Sequence, residues 1–319
     1  ESRGLGDVYK RQVPMFGGKG IWISVFLSVS AYCNAGFDIL GFLKPDASLE
    51  LFVGDPLVCL TICCLIILGG IGFIVTVDLY NWGRKRVRKE ERRPHLTLHT
   101  RIVLVSTASL LVLGTVLTLG LEYDHTLKDL NFWEKLNASF FQSVTARTAG
   151  YATIPQGELG DATKLVTIIL MFIGASPSST GGGIKTTTFV VLVATVVSIS
   201  RGRDETVINK RRVDKSVVYR AMTIVAMAFL VIAITSGVIM VTTPPEVSAI
   251  DAVYEAVSAF GTVGLTTGLT PDLSIVAKIL VMLTMFIGRV GPISLVLALT
   301  MKHSGGPGKI LPEGKVIVG

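Results

Sequence analysis

Three short segments with the same pattern of small residues recur at equal intervals, and their chemistry suits an ion. They read SVSAYCNAGF (residues 28–37), QSVTARTAGY (residues 142–151) and AVSAFGTVGL (residues 256–265). Their shared glycines, Gly36, Gly150 and Gly264, are 114 residues apart in both intervals. Glycine lets a chain turn its carbonyl groups toward a pore axis, where they replace the hydration shell of a monovalent cation. The repeats therefore predict ion passage.

The three turns carry small or neutral side chains. No carboxylate lies in NAGF, TAGY or TVGL, which disfavours a divalent-cation site built from acidic rings. One copy alone would be interpreted as an ordinary glycine-containing helix end, but three copies at one interval favour a shared pore. A short amphipathic stretch precedes each turn, and the negative C-terminal end of such a helix favours a cation on the axis.

The sequence GASPSSTGGGIK at residues 174–185, called the central loop below, interrupts an apolar run. Pro177 and three consecutive glycines do not readily sustain a helix. A phosphate-binding loop is excluded, because no strand precedes it and the glycine spacing is wrong. A flexible linker remains the alternative interpretation, whereas breaks in membrane helices usually mark functional sites.

Arg289 lies inside the last apolar run. An intramembrane arginine is costly and normally faces a cavity or a partner. We therefore expect its side chain to face the pore axis within reach of the central loop. Snorkelling to the membrane surface is the alternative.

The composition is typical of a polytopic membrane protein. Half of the residues are hydrophobic, 17% are charged, and the mean hydropathy is +0.61. The net charge of +7 does not indicate nucleic acid, because the basic residues lie mainly in two short runs between apolar segments. The four cysteines and four scattered histidines lack metal-ligand spacing, so the cysteines predict packing rather than a metal site. The apolar runs contain no paired carboxylates and no nucleophile–base pair, which disfavours an enzyme.

The apolar runs and basic loops divide the chain into four parts. Residues 1–19 are an atypical leader, 20–93 a partial second pore unit, 94–215 a third unit with a broken second helix, and 216–319 a fourth unit with a polar tail. The apolar runs lie at residues 51–79, 102–121, 164–200, 217–241 and 273–301. Each is long enough to span a hydrocarbon core. The basic loops predict a cytoplasmic side, with the turns near the outer surface.

The sequence contains too few pore units to surround an ion completely. Pore loops usually surround an ion with four-fold or pseudo-four-fold symmetry, and the repeat predicts a further spanning helix before Gly20. We expect that the chain lacks about one and a third units at its N-terminus, by the length of the repeat.

The motifs NAGF, TARTAGY, PSSTGGGIKTTT and GTVGLTTG resemble those of the Trk/Ktr/HKT superfamily of potassium transporters, and match its KtrB-type membrane subunit best. The resemblance runs from about residue 20 to the end, including LPEGKVIVG at residues 311–319, and Cys33 is a small departure. It implies an all-α polytopic membrane protein, with helix–pore loop–helix units around a pseudo-four-fold pore. One unit is then missing and one is partial.

The resemblance also assigns roles to residues. The turns correspond to filters two, three and four, and the central loop, with an arginine of the last helix, corresponds to a gate that obstructs the pore. The implied filter residues are Asn34, Ala35, Gly36, Phe37, Thr148, Ala149, Gly150, Tyr151, Thr262, Val263, Gly264 and Leu265. The implied gate residues are Gly174, Ser178, Ser179, Thr180, Gly181, Gly182, Gly183, Lys185 and Arg289.

The sequence thus predicts a subunit for potassium uptake across the cytoplasmic membrane of a prokaryote. K⁺ or Na⁺ is the transported or coupling ion, without a covalently bound cofactor, and the preference between them stays open because one filter is missing. The resemblance implies contact with membrane lipid, a homodimer, and a ring of cytosolic nucleotide-binding regulatory subunits of the KtrA type. An alternating-access secondary cation transporter is the alternative. All units run in one direction, which suits a channel-like pore better than inverted repeats.

Overall fold

The computed structural model describes residues 18–42, 48–88, 95–209, 211–244 and 247–291. Most of these residues are helical, and the prediction of an all-α fold is confirmed. The leader before Gly18 and everything after Gly291, including the end of the last apolar run and the tail, lie outside the described residues. The helices are α1 (Gly18–Tyr32), α2 (Pro56–Ile71), α3 (Phe73–Val87), α4 (Leu98–Glu122), α5 (Phe132–Thr145), α6 (Asp161–Phe172), α7 (Thr186–Ser200), α8 (Lys215–Thr242), α9 (Ala249–Gly261) and α10 (Ile275–Val290), with 3₁₀ turns at Glu50–Phe52 and Thr270–Asp272.

Two helices in the described part of the chain are each long and apolar enough to cross a membrane. They are α4, with 25 residues, and α8, with 28 residues. Both contain the apolar runs from which they were predicted. The pair α2 and α3 passes the same test as one bent element, and would add a third span.

The apolar run at residues 51–79 was predicted to span the membrane as one helix, but the structure divides it into two helices. α2 and α3 are bent by 98° relative to each other. Gly72 lies between them with φ 94°, a conformation that side chains rarely allow. A Cβ atom on Gly72 would overlap the carbonyl oxygen of Pro177. The bend therefore accompanies a contact with the central loop, which hydropathy alone does not reveal.

Each short helix packs against a helix of its own unit, and α5 and α9 also contact a helix of a neighbouring unit. α1 contacts α2, α5 contacts α4 and α2, and α9 contacts α8, α10 and α6. One apolar cluster forms around Leu27 and Phe141, and a larger one surrounds Phe260. Between units, Lys164 of α6 and Asp251 of α9 form an ion pair at 2.8 Å, with both side chains largely buried. The units therefore form one continuous body rather than separate hairpins.

The second basic loop contains a short antiparallel hairpin that the sequence did not predict. Its strands are β1 (Val207–Ile208) and β2 (Arg211–Arg212). Val207 pairs with Arg212, and Ile208 pairs with Arg211. The hairpin lies against the end of α7.

Two helical glycines provide a matched test of backbone packing. A Cβ atom on Gly288 of α10 would overlap the carbonyl oxygen of Phe260, whereas Gly237 of α8 has nothing within 4 Å. We expect Gly288→Ala to destabilise the protein by roughly 1–3 kcal/mol through overpacking. Gly237→Ala should stabilise it by about 0.5–1 kcal/mol, because alanine loses less backbone entropy. Thermal unfolding in detergent measures both, and equal effects would contradict the packing of α10 on α9.

Candidate functional site

The three short helices end in turns with one shared backbone pattern. In each turn a polar residue adopts a left-handed conformation, and a glycine with positive φ follows two positions later. The polar residues are Asn34 (φ 49°), Thr148 (φ 71°) and Thr262 (φ 50°), and the glycines are Gly36 (φ 71°), Gly150 (φ 87°) and Gly264 (φ 93°). The sequence repeat is therefore also a repeat of backbone geometry.

The glycines of the three turns are in close contact, with Gly150 between the other two. A Cβ atom on Gly36 would overlap the carbonyl oxygen of Ala149, and one on Gly150 would overlap that of Val263. At Gly264 the same atom would meet only the Cα atom of Gly150, at 3.7 Å. The structure thus brings the three turns together in one row, with backbone facing backbone.

Side-chain hydroxyls hold the first two turns in place. Ser30 of α1 donates to the carbonyl oxygen of Phe37 at 2.8 Å, and Thr145 of α5 donates to that of Tyr151 at 2.6 Å. The fully buried Tyr151 hydroxyl also donates to the carbonyl oxygen of Phe37 at 3.1 Å. These bonds orient peptide groups that follow the glycines and link one turn to the next.

The central loop lies across the ends of all three short helices. A Cβ atom on Gly181 would overlap the hydroxyl of Thr148, and one on Gly182 would overlap the hydroxyl of Thr262. The hydroxyl of Thr180 donates to the last carbonyl oxygen of α1 at 3.3 Å. One segment therefore contacts the beginning of every turn, and two of its contacts require glycine.

The same loop is hydrogen-bonded to the bend between α2 and α3. The N–H of Phe73 donates to the carbonyl oxygen of Ser178 at 2.9 Å, and the N–H of Ser176 donates to that of Gly70 at 3.1 Å. Within the loop, Nζ of Lys185 donates to the carbonyl oxygen of Gly181 at 2.6 Å. The loop is consequently held on two sides rather than hanging free.

Arg147, which the sequence analysis did not single out, is the arginine that contacts the central loop. Its side chain is 7% exposed, and Nη2 donates to the carbonyl oxygen of Gly174 in a long hydrogen bond of 3.5 Å. Its Nε has no partner among the described residues. The available signal was a charged residue in the second turn segment, TARTAGY, where the other two copies have none.

The pore-facing orientation that the sequence predicts for Arg289 stays a prediction. The side chain is exposed in the last turn of α10, and within the described residues it makes no hydrogen bond or ion pair. It lies near enough to Lys185 for the two positive charges to interact.

Two buried hydroxyl oxygens lie where the central loop meets the turns and have no partner within the described chain. They are Oγ1 of Thr262 and Oγ of Ser179. Buried polar atoms are normally hydrogen-bonded, so such atoms require an explanation.

Residues 6–306 match the family model of the cation transport protein TrkH. The Ktr system potassium uptake protein B of Bacillus subtilis is 38% identical over 312 residues, which cover 97% of this chain and 66% of that protein. The potassium/sodium uptake protein NtpJ of Enterococcus hirae is 39% identical over 314 residues, which cover 96% and 66%. The crystal structure of the potassium transporter TrkH from Vibrio parahaemolyticus has a similar fold, with a TM-score of 0.67 and 17% identity over 94% of this chain and 70% of that one.

The hydrogen bond from Arg147 to the central loop can be tested by a substitution and hydrogen–deuterium exchange. Arg147→Met removes the donor to the carbonyl oxygen of Gly174. We expect it to lower the free energy of opening the loop by about 1 kcal/mol, a typical net value for one hydrogen bond. Hydrogen–deuterium exchange of the loop amides should then accelerate about five-fold. The control is Arg220→Met, at an exposed position of α8. Equal exchange in the two variants would show that Arg147 does not hold the loop.

Proposed function

The chain belongs to the TrkH family of cation transport proteins, and we propose that it forms the greater part of a pore for potassium uptake. The observation that carries this proposal is the row of three glycine turns, with one loop lying across the helix ends that lead into them. Two relatives are named as potassium or potassium/sodium uptake proteins, and the chain spans 66% of the length of each.

In this proposal the three turns act as a selectivity filter. Positive φ at alternate positions reorients successive peptide groups, which is how a short segment presents several carbonyl oxygens to one ion. The unpaired hydroxyl of Thr262 adds an oxygen ligand at the base of the third turn. The negative ends of α1, α5 and α9 lie at the turns and favour a cation there.

The central loop acts as the gate in the same proposal. Its contacts with Thr148 and Thr262 lie directly beside the turns, so an ion leaving them meets the loop. Lys185 and Arg289 place positive charge nearby, which opposes a resident cation. Opening then requires the loop to leave the helix ends while it stays joined to α6 and α7.

The finer features of the proposal concern the assembly. We place the protein in a prokaryotic plasma membrane as a multi-pass subunit, in contact with lipid. We also propose a homodimer that binds a ring of cytosolic nucleotide-binding regulatory subunits of the KtrA type. The name of the Bacillus subtilis relative, protein B of a Ktr system, supports a place in a system with more than one component.

Glycine substitutions in the turns test the filter. In proteoliposomes we expect Gly150→Ala to abolish K⁺ flux, because the new Cβ overlaps the carbonyl oxygen of Val263 and the φ of 87° strains any side chain. Gly264→Ala produces no such overlap. Its only cost is that of an alanine at positive φ, about 1–2 kcal/mol, so we expect a partial loss of flux. Gly237→Ala is the control.

Flux of K⁺ and of Na⁺ is measured in parallel for each variant. A loss in Gly150→Ala with unchanged Gly237→Ala supports the filter. Full flux in Gly150→Ala, at normal expression and helicity, would remove the turns from the ion path.

Two changes in the central loop test the gate. Deletion of residues 179–183 should raise ion flux several-fold, because it removes the segment that lies across the turns. Lys185→Met keeps the length of the loop but removes its charge and the bond to Gly181, and should raise flux less. The control is Lys278→Met, which removes an exposed lysine bonded to the carbonyl oxygen of Pro271. Flux equal to that of the control in both loop variants would contradict a gate at this position.

A further inference from the structure

A groove on the side of the basic loops has an apolar wall and a positively charged end. It has a volume of about 470 Å³ and lies between α4, α7 and the β1–β2 hairpin. Phe189, Val193 and Val197 line it at helical spacing along one face of α7. Arg201 and Arg203, which follow the end of α7, line the groove as well.

Among the described residues, the two arginines at this end have no ion-pair partner. Arg201 and Arg203 are both exposed. In contrast, Arg212 on the neighbouring strand is paired with Glu205 at 2.9 Å. The groove therefore retains two guanidinium groups that can bind an anion, and guanidinium is suited to phosphate.

The hairpin that closes the groove is fixed to α7 by hydrogen bonds. The hydroxyls of Thr195 and Thr206 are 2.9 Å apart, and the N–H of Val207 donates to the hydroxyl of Ser198 at 3.3 Å. The N–H of Arg203 donates to the carbonyl oxygen of Ser198 at 3.0 Å. The charged end is thus held in place beside the apolar wall.

The part of α7 that lines the groove is about as long as one leaflet of a bilayer is thick. Phe189 and Arg201 are both on or next to α7, and a rise of 1.5 Å per residue separates them by about 18 Å along the helix axis. Half of a hydrocarbon core measures about 15 Å. An acyl chain beside α7 would therefore extend from the level of the arginines to the middle of the membrane.

We propose that this groove binds one anionic phospholipid from the leaflet that adjoins the basic loops. Arg201 and Arg203 bind its phosphate, and one acyl chain packs on Phe189, Val193 and Val197. Basic pockets between membrane helices recognise anionic headgroups by the same chemistry. The site is distinct from the ion path and its occupancy does not depend on transport. Its occupant would contact the helix that directly follows the central loop.

The charge of the site is tested first. The full chain is purified in phosphatidylcholine-containing micelles and titrated with phosphatidylglycerol, and bound lipid is counted by native mass spectrometry. Arg201→Gln/Arg203→Gln should weaken the binding of one phosphatidylglycerol at least ten-fold. The control Arg84→Gln/Arg220→Gln removes two exposed arginines that do not line the groove, one on α3 and one on α8, and should bind like the unchanged chain. Equal binding in both double variants, or equal binding of phosphatidylcholine, would overturn the proposal.

The apolar wall is tested by a pair of tryptophan variants on α7. Val193→Trp fills the groove and should displace the bound phosphatidylglycerol. Val196 is 67% exposed and does not line the groove, so Val196→Trp should leave binding unchanged. Retention of the lipid in Val193→Trp would overturn the proposal. A change from dimer to monomer in Val193→Trp without loss of lipid would also overturn it, because a second copy of the chain would then cover the groove.

Discussion

Backbone contacts with no room for a Cβ atom are the constraint on which the rest of this structure depends. Gly69 meets the end of α1, Gly174 meets the opposite side of the central loop, and Gly288 meets the end of α9. In a membrane, non-helical backbone must satisfy its hydrogen bonds within the protein or in water. Close approach lets the carbonyl and N–H groups of the loop, the turns and the α2–α3 bend reach one another. The glycines therefore permit irregular backbone at membrane depth.

The local chemistry of glycine and proline explains how much of this arrangement was predictable from the sequence. The interval between Gly36, Gly150 and Gly264 predicted equivalent turns, and their φ angles repeat. Pro177 and the glycines after it predicted the interruption that separates α6 from α7. Both features depend on proline and glycine, which change the φ angles allowed at their own positions. The roles of filter and gate remain predictions, because geometry alone does not show ion passage.

The features that were missed depend on contacts between distant segments. Gly72 lies in an apolar run whose proline, Pro56, begins α2 and is far from the bend, and the bend accompanies a hydrogen bond from Phe73 to Ser178. Arg147 and Arg289 were indistinguishable in kind, since each is an arginine beside apolar sequence. Tertiary packing buries the first against the central loop and leaves the second exposed. Hydropathy reports the average environment of a segment and not the direction of one side chain.

The central loop occurs once, although the turns that it contacts occur three times. A tandem repeat within one chain allows a single copy to diverge, which identical subunits around an axis cannot do. In the proposed gate one segment obstructs the pore, so opening requires that segment alone to rearrange and no concerted motion of symmetry-related parts. The opening equilibrium of one pore would then follow a single two-state transition. Any cooperativity must arise between pores rather than within one.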